Sequence, residues 1–96
     1  MNDIEKGDVV RSQQGRDKDL LFYVLQCDGR FALIADGKQR KTDRPKKKNV
    51  KHVERCITVD MRLRDRLRQG ESVTNTDIRR SLERLSAALE DEQEGI

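Results

Sequence analysis

Cations are the residues of this chain best suited to chemistry, and they are unevenly spread. Lys38, Arg40, Lys41, Arg44, Lys46, Lys47, Lys48 and Lys51 fall within 14 residues, opposed only by Asp43. A net +7 over so short a stretch is a local field that attracts phosphate backbones or acidic membranes. A smaller group, Gly15-Arg16-Asp17-Lys18, places two cations beside a glycine. Such a glycine allows a tight loop or a bare backbone approach to a phosphate. Arginine would flank that approach as a bidentate fork and lysine as a point charge. Lysines at 46–48 are expected to anchor phosphates without reading bases, so specificity would have to come from RNA shape or from partners.

Other chemistry has less to stand on. Cys27 and Cys56 lie 29 positions apart and His52 is the sole histidine. Zinc sites draw on four ligands in closely spaced pairs, so the thiols are expected to be structural, with no metal and no cofactor. No Ser/His/Asp set or phosphate-binding Gly-rich loop is present, and the only acidic cluster is Glu90-Asp91-Glu92-Gln93-Glu94. The expectation is a binding protein and not an enzyme, with no small-molecule substrate.

Composition agrees. The 96 residues carry 41% charged and 33% hydrophobic side chains, and the aromatics are Phe22, Tyr23 and Phe31 alone. A chain this short supports one domain with a small core. The overall net charge of +3 conceals +5 over residues 1–57 and −2 over residues 58–96. No apolar run approaches the roughly 18 residues of a membrane span. The start, Met1-Asn2-Asp3-Ile4-Glu5, lacks the features of a signal peptide, so a cytoplasmic location is expected.

The elements that must position these cations can be read in outline. Leu20–Cys27 is apolar at seven of eight positions and ends at Asp28-Gly29. That pattern predicts a strand and a hairpin turn into Phe31–Ala35, which Asp36-Gly37 then closes. Val9-Val10 opens an earlier strand, and His52–Thr58 is a candidate last one. Pro45 makes Thr42–Lys46 a loop or an edge. Leu21, Tyr23 and Leu25 are expected to fill the β core, leaving Leu20, Phe22 and Val24 to be covered. Asp60–Gln69, with Leu63 and Leu67 on one side and Gly70 beyond its end, predicts a short helix. Thr74 and Asp77 form a capping-box variant ahead of an Ile78, Leu82, Leu85 and Leu89 stripe, which predicts a longer one. The residues from about 90 are expected to be a disordered acidic tail.

Taken together, Gly7-Asp8-Val9-Val10-Arg11-Ser12, Gly15-Arg16-Asp17-Lys18 and Phe22-Tyr23-Val24 resemble a KOW motif. This is the strand–loop–strand signature of several ribosomal proteins and of bacterial NusG-type transcription factors. The continuation through Phe31–Arg40, Arg44-Pro45-Lys46-Lys47-Lys48-Asn49 and Lys51-His52 is similar to small KOW proteins of Gram-positive bacteria. Those in turn resemble archaeal and eukaryotic large-subunit ribosomal proteins. Asp19 stands where KOW motifs commonly carry a second glycine, and an acidic side chain there repels phosphate.

The resemblance implies an SH3-like β-barrel of about five strands over residues 1–59, with a helical extension over 60–96 packed on it. It also implies a ribosome- or translation-associated, RNA-binding ribonucleoprotein component. Its RNA-contacting residues would be Arg11, Gly15, Arg16, Lys18, Lys38, Arg40, Lys41, Arg44, Lys46, Lys47, Lys48 and Lys51. Replacing Lys46, Lys47 and Lys48 with Glu is then expected to remove most affinity and spare the fold. Arg62, Arg64, Arg66 and Arg68 could extend the RNA surface. The competing expectation is a protein-interaction adaptor that docks ribosomal or transcription-machinery proteins through the helical tail without touching RNA.

Overall fold

In the computed structural model the described residues are 4–94, with only the backbone described for 90–94. Five strands come first: β1 (Val9–Ser12), β2 (Leu21–Cys27), β3 (Phe31–Ala35), β4 (Lys46–Asn49) and β5 (Val53–Arg55). Two helices follow, α1 (Met61–Arg68) and α2 (Asn75–Glu94). The strands pair antiparallel in the order β4-β3-β2-β1-β5, and the sheet is unclosed.

The connection between its two edges forces this sheet to coil. Laid flat, four strand spacings would separate β4 from β5 by roughly 19 Å. Yet Asn49 and Val53 are joined by a single 3₁₀ turn, Val50–His52, and such a turn rises only about 2 Å per residue. The edges must therefore curl toward one another. The Gln13 N–H donates to the His52 carbonyl at 2.9 Å, and the Val50 N–H to the Arg30 carbonyl at 2.9 Å, which fastens the turn to both sides.

Coiling gives the sheet an inner and an outer face, each with its own core. Val10, Phe22, Val24, Ala32, Ile34, Val50, Val53 and Ile4 pack inside. Val9 and Tyr23 face outward and are covered by Leu63, Leu67, Ile78, Leu82 and Leu85 of the helices. Both faces of β2 are buried, as its continuous apolar run implies, but in the opposite sense to the sequence expectation. Phe22 and Val24 fill the interior, while Tyr23, with Leu21 and Leu25 beside it, lies under the helices. The two alternating sets are equally apolar, so periodicity cannot choose between them. The Tyr23 hydroxyl decides for the helix side, because it finds a partner there: Ser81 Oγ lies 2.6 Å away. A bulge between Val24 and Gln26 shifts the register and returns Cys27 to the inner core.

Both helices start where the sequence signals them, and α1 also stops there. Asp60 Oδ1 accepts from the Leu63 N–H at 3.2 Å, and Gly70, at φ +77°, ends α1. In α2 the Asp77 N–H donates to Thr74 Oγ1 (3.0 Å), and the Thr74 N–H donates to Asp77 Oδ2 (3.2 Å). With Ile78, Leu82 and Leu85 buried against the sheet, the apolar stripe of α2 is a packing face. The helix continues to Glu94, beyond the point near residue 90 where a disordered tail is expected. The acidic side chains of that tail, residues 95–96 and residues 1–3 lie outside the described set. No helix among the described residues is long and apolar enough to cross a membrane.

Candidate nucleic-acid interface

Lys46-Lys47-Lys48 is not a loop. It is most of β4, an edge strand paired through Ile34↔Lys46, Leu33↔Lys47 and Ala32↔Lys48. Strand geometry sends alternate side chains to opposite faces. Lys46 and Lys48 therefore share the inward face of Ile34 and Ala32, and Lys47 points out. The two inward ammonium groups converge on one carboxylate: Lys46 Nζ lies 2.7 Å from Asp17 Oδ2 and Lys48 Nζ 3.0 Å from Asp17 Oδ1. Lys48 Nζ also donates to the Gln14 carbonyl at 2.6 Å, and Ser12 Oγ hydrogen-bonds Asp17 Oδ1 at 2.7 Å.

This cluster is an internal clasp. It ties the free edge β4 to the β1–β2 loop. Lys48 is 8% exposed, so its charge is committed within the fold. Burial acts to raise the Asp17 pKa, but hydrogen bonds from Lys46, Ser12 and Lys48, with the Lys46 charge, hold it far below the usual carboxylate range. Removing one member of a buried ion pair costs about 3–5 kcal/mol. Replacing Lys46–Lys48 with Glu would therefore disrupt the fold, contrary to the expectation from sequence. Lys48 leaves the set of surface contacts, and Lys46 keeps only its partial exposure.

Beside the clasp lies a shallow cleft of about 280 Å³, and it brings two of the expected cations together. Arg16 from the β1–β2 loop and Arg40 from the β3–β4 loop line it with Gln39, over a floor of Asp17, Phe22 and Lys46. Neither arginine has a carboxylate partner among the described residues, and both are exposed. Lys18, Lys38, Lys41 and Arg44 are exposed in the same two loops and likewise carry no ion pair.

Local structure holds these loops in shape. Asp36 Oδ1 accepts from the Lys38 and Arg40 N–H groups, at 2.9 and 2.8 Å, and so folds the start of the β3–β4 loop. The helical extension braces its far side, where the Thr42 N–H donates to Asn75 Oδ1 at 2.8 Å. Gly37, at φ +74°, sits so close to the Asn75 carbonyl and the Arg79 amide that a Cβ would collide with the helix backbone. In the other loop Asp19 has φ +73°, the left-handed conformation that glycine adopts freely and aspartate tolerates. The glycine-like backbone is thus kept at Asp19 even though the side chain is acidic.

The remaining expected residues lie elsewhere. Gly15 lies beside the clasp, where a Cβ would meet Asp17 and Lys48 only at ordinary contact distance, so glycine is favoured there by its φ of +92°. Arg11 is on the outer face, half-buried, with Glu54, Cys56 and Leu89 around it and no partner for its Nε. Lys47 stacks over the Phe31 ring, 4.5 Å from its centroid, on the face opposite Lys46. Lys51 is exposed in the 3₁₀ turn. Cys27 and Cys56 are half-buried free thiols packed on opposite cores of the sheet.

Most of the α1 arginines have carboxylate partners. Arg68 bonds Glu5, Asp8 and the Lys6 carbonyl, while Arg66 lies near Glu71 and Asp77 and donates to the Ser72 carbonyl. Asp17 is the residue whose importance sequence reasoning missed. Its partners are 29 and 31 positions away, and nothing in the local pattern marks it. Comparison with protein-family models finds no match, and neither does comparison with curated proteins.

Proposed function

We propose that this chain is an RNA-binding protein of the KOW type, its coiled sheet an SH3-like barrel in which the Asp17 clasp fastens the β4 edge to the β1–β2 loop. It docks the phosphates of a structured RNA, in a ribosome- or translation-associated role. The reading is carried by one observation: Arg16 and Arg40, from loops 24 residues apart in sequence, line one cleft without carboxylate partners. Exposed Lys18, Lys38, Lys41 and Arg44 extend the same charge, which a polyanion would neutralise with release of counterions. The three aromatics are largely taken up by the core and by Lys47, which argues against base stacking as the main source of affinity. A protein adaptor acting through the helical tail would need a docking face, and the apolar stripe of α2 is already buried.

Binding of a structured RNA hairpin to the full chain and to an R16Q/R40Q variant, across a salt series, tests the reading. The parent should bind, with affinity falling steeply as salt rises. Loss of two phosphate contacts should make the log–log salt slope shallower by about 1.5 and weaken binding by roughly tenfold at moderate salt. Equal affinities and slopes for the two proteins would rule out the cleft as the RNA surface.

A further inference from the structure

A second concentration of guanidinium groups lies between the helices. Arg62 and Arg66, one turn apart on α1, and Arg80 and Arg84, one turn apart on α2, line a groove of about 220 Å³ with Asp60 and Asp77. Each carboxylate already has a local task and an arginine. Asp60 caps α1 and accepts from Ser81 Oγ (2.9 Å) and Arg84 Nη2 (3.2 Å). Asp77 completes the capping box of α2 and lies 3.6 Å from Arg66 Nη1. Arg62 and Arg80 are exposed and have no carboxylate partner among the described residues. The groove thus carries a net +2, concentrated on two planar forks suited to bidentate oxyanion contact.

The groove is also near the basic β3–β4 loop. That loop packs on α2 at Asn75 and Arg79. At the α-helical rise, Asn75 and Arg84 are about 14 Å apart along the axis. Arg79, on the loop side, lies 4.0 Å from Glu83 and is balanced by it, so Arg80 on the groove side is the cation without a carboxylate partner among the described residues that stands nearest this junction.

We infer that the α1–α2 groove is a second phosphate-binding site, in which Arg62 and Arg80 take backbone phosphates of the same RNA that engages the cleft. The inference rests on the RNA reading above. Arg66 and Arg84, already balanced by Asp77 and Asp60, position the groove without supplying its free charge.

The test uses the full chain, an R62Q/R80Q variant and an R62K/R80K variant, with the same RNA hairpin and salt series. R62Q/R80Q should bind about fivefold to tenfold more weakly, with a slope shallower by about 1.5. R62K/R80K should keep the slope but bind more weakly than the parent, because charge is retained and the fork lost. Circular dichroism and urea midpoints should match the parent, since neither arginine makes an ion pair among the described residues. Parental affinity and slope in R62Q/R80Q overturn the inference, whatever R16Q/R40Q does. If R16Q/R40Q binds as the parent does while R62Q/R80Q is weakened, the cleft reading fails and the groove stands. Should the parent bind no RNA, titration with inorganic pyrophosphate decides. Shifts of the Arg62 and Arg80 Nε–H resonances would retain the groove as a phosphate site, and their absence would overturn it.

Discussion

The segment Lys38–Lys51 and helix α1 are both dense in cations, and the fold treats them differently. On α1, Arg66 and Arg68 each lie near two carboxylates, Arg64 lies 4.0 Å from Asp65, and Arg62 alone has no partner among the described residues. In Lys38–Lys51, Lys46 and Lys48 alone are paired among the described residues, and they share Asp17. Density of charge along a chain is therefore a poor measure of the charge a surface can offer. What counts is whether the fold delivers acidic side chains to meet it. α1 meets Glu5 and Asp8 of the N-terminal turn and Glu71 and Asp77 around the start of α2. The β3–β4 loop packs on α2 through Thr42 and Gly37, yet its cations Lys38, Arg40, Lys41 and Arg44 meet no carboxylate among the described residues.

The largest effect that should expose this contrast is on stability. Asp17→Asn leaves Lys48 buried beside a neutral amide and should cost about 3 kcal/mol, toward the low end for buried pairs because Lys46 is partly exposed. Urea denaturation of both proteins at neutral pH measures it. The pH dependence has a definite sign. The folded Asp17 carboxyl titrates far below its unfolded value near 3.9. Its contribution is therefore full above about pH 5 and is lost as pH falls through the acid range toward the folded pKa. The parent's stability advantage over D17N should shrink between pH 5 and pH 2. An advantage independent of pH would mean that Asp17 acts through shape and not charge.

Arg68→Ala comes next, at about 2 kcal/mol, because Asp8, only 4% exposed, would lose a charged donor. RNA affinity per folded molecule should not change, in contrast to R16Q/R40Q. That cleft variant should in turn move the urea midpoint by less than about 0.5 kcal/mol, as expected of exposed side chains without partners. If Arg68→Ala weakened RNA binding as much as R16Q/R40Q does, the distinction between the two regions would collapse.

The smallest effect is expected at Asp19. Asp19→Gly relieves the left-handed backbone but adds unfolded-chain entropy, so a net gain of only about 0.5 kcal/mol should remain. Removing the negative charge next to Lys18 should also tighten RNA binding by about twofold, as an anisotropy titration would show. A fall in affinity would instead mean that Asp19 orders the loop for its ligand.

Local chemistry was the legible part of this molecule. The capping box at Thr74–Asp77, Gly70 at the end of α1, the Ile78–Leu85 stripe and the Asp28-Gly29 hairpin all involve residues within a turn or two of one another. For such elements backbone geometry alone dictates which side chains meet. Pro45 left a loop or an edge open for Thr42–Lys46, and the alternation that sends Lys46 and Lys48 inward depends on pairing with Ile34 and Ala32, which no local pattern reveals.

The amino-acid order by itself determined that strands come first and two helices follow, where those helices start, that β2 would be buried on both faces, and that one segment would be densely basic; it did not mark Lys46–Asn49 as a strand. Only the tertiary structure decided which face of β2 turned inward, because its two apolar sets are interchangeable until Tyr23 finds Ser81. It alone also separated cations held by the fold from cations left exposed. Ion pairing acts over a few ångströms in space and is indifferent to distance along the chain, so Asp17 could claim Lys46 and Lys48 from about thirty residues away.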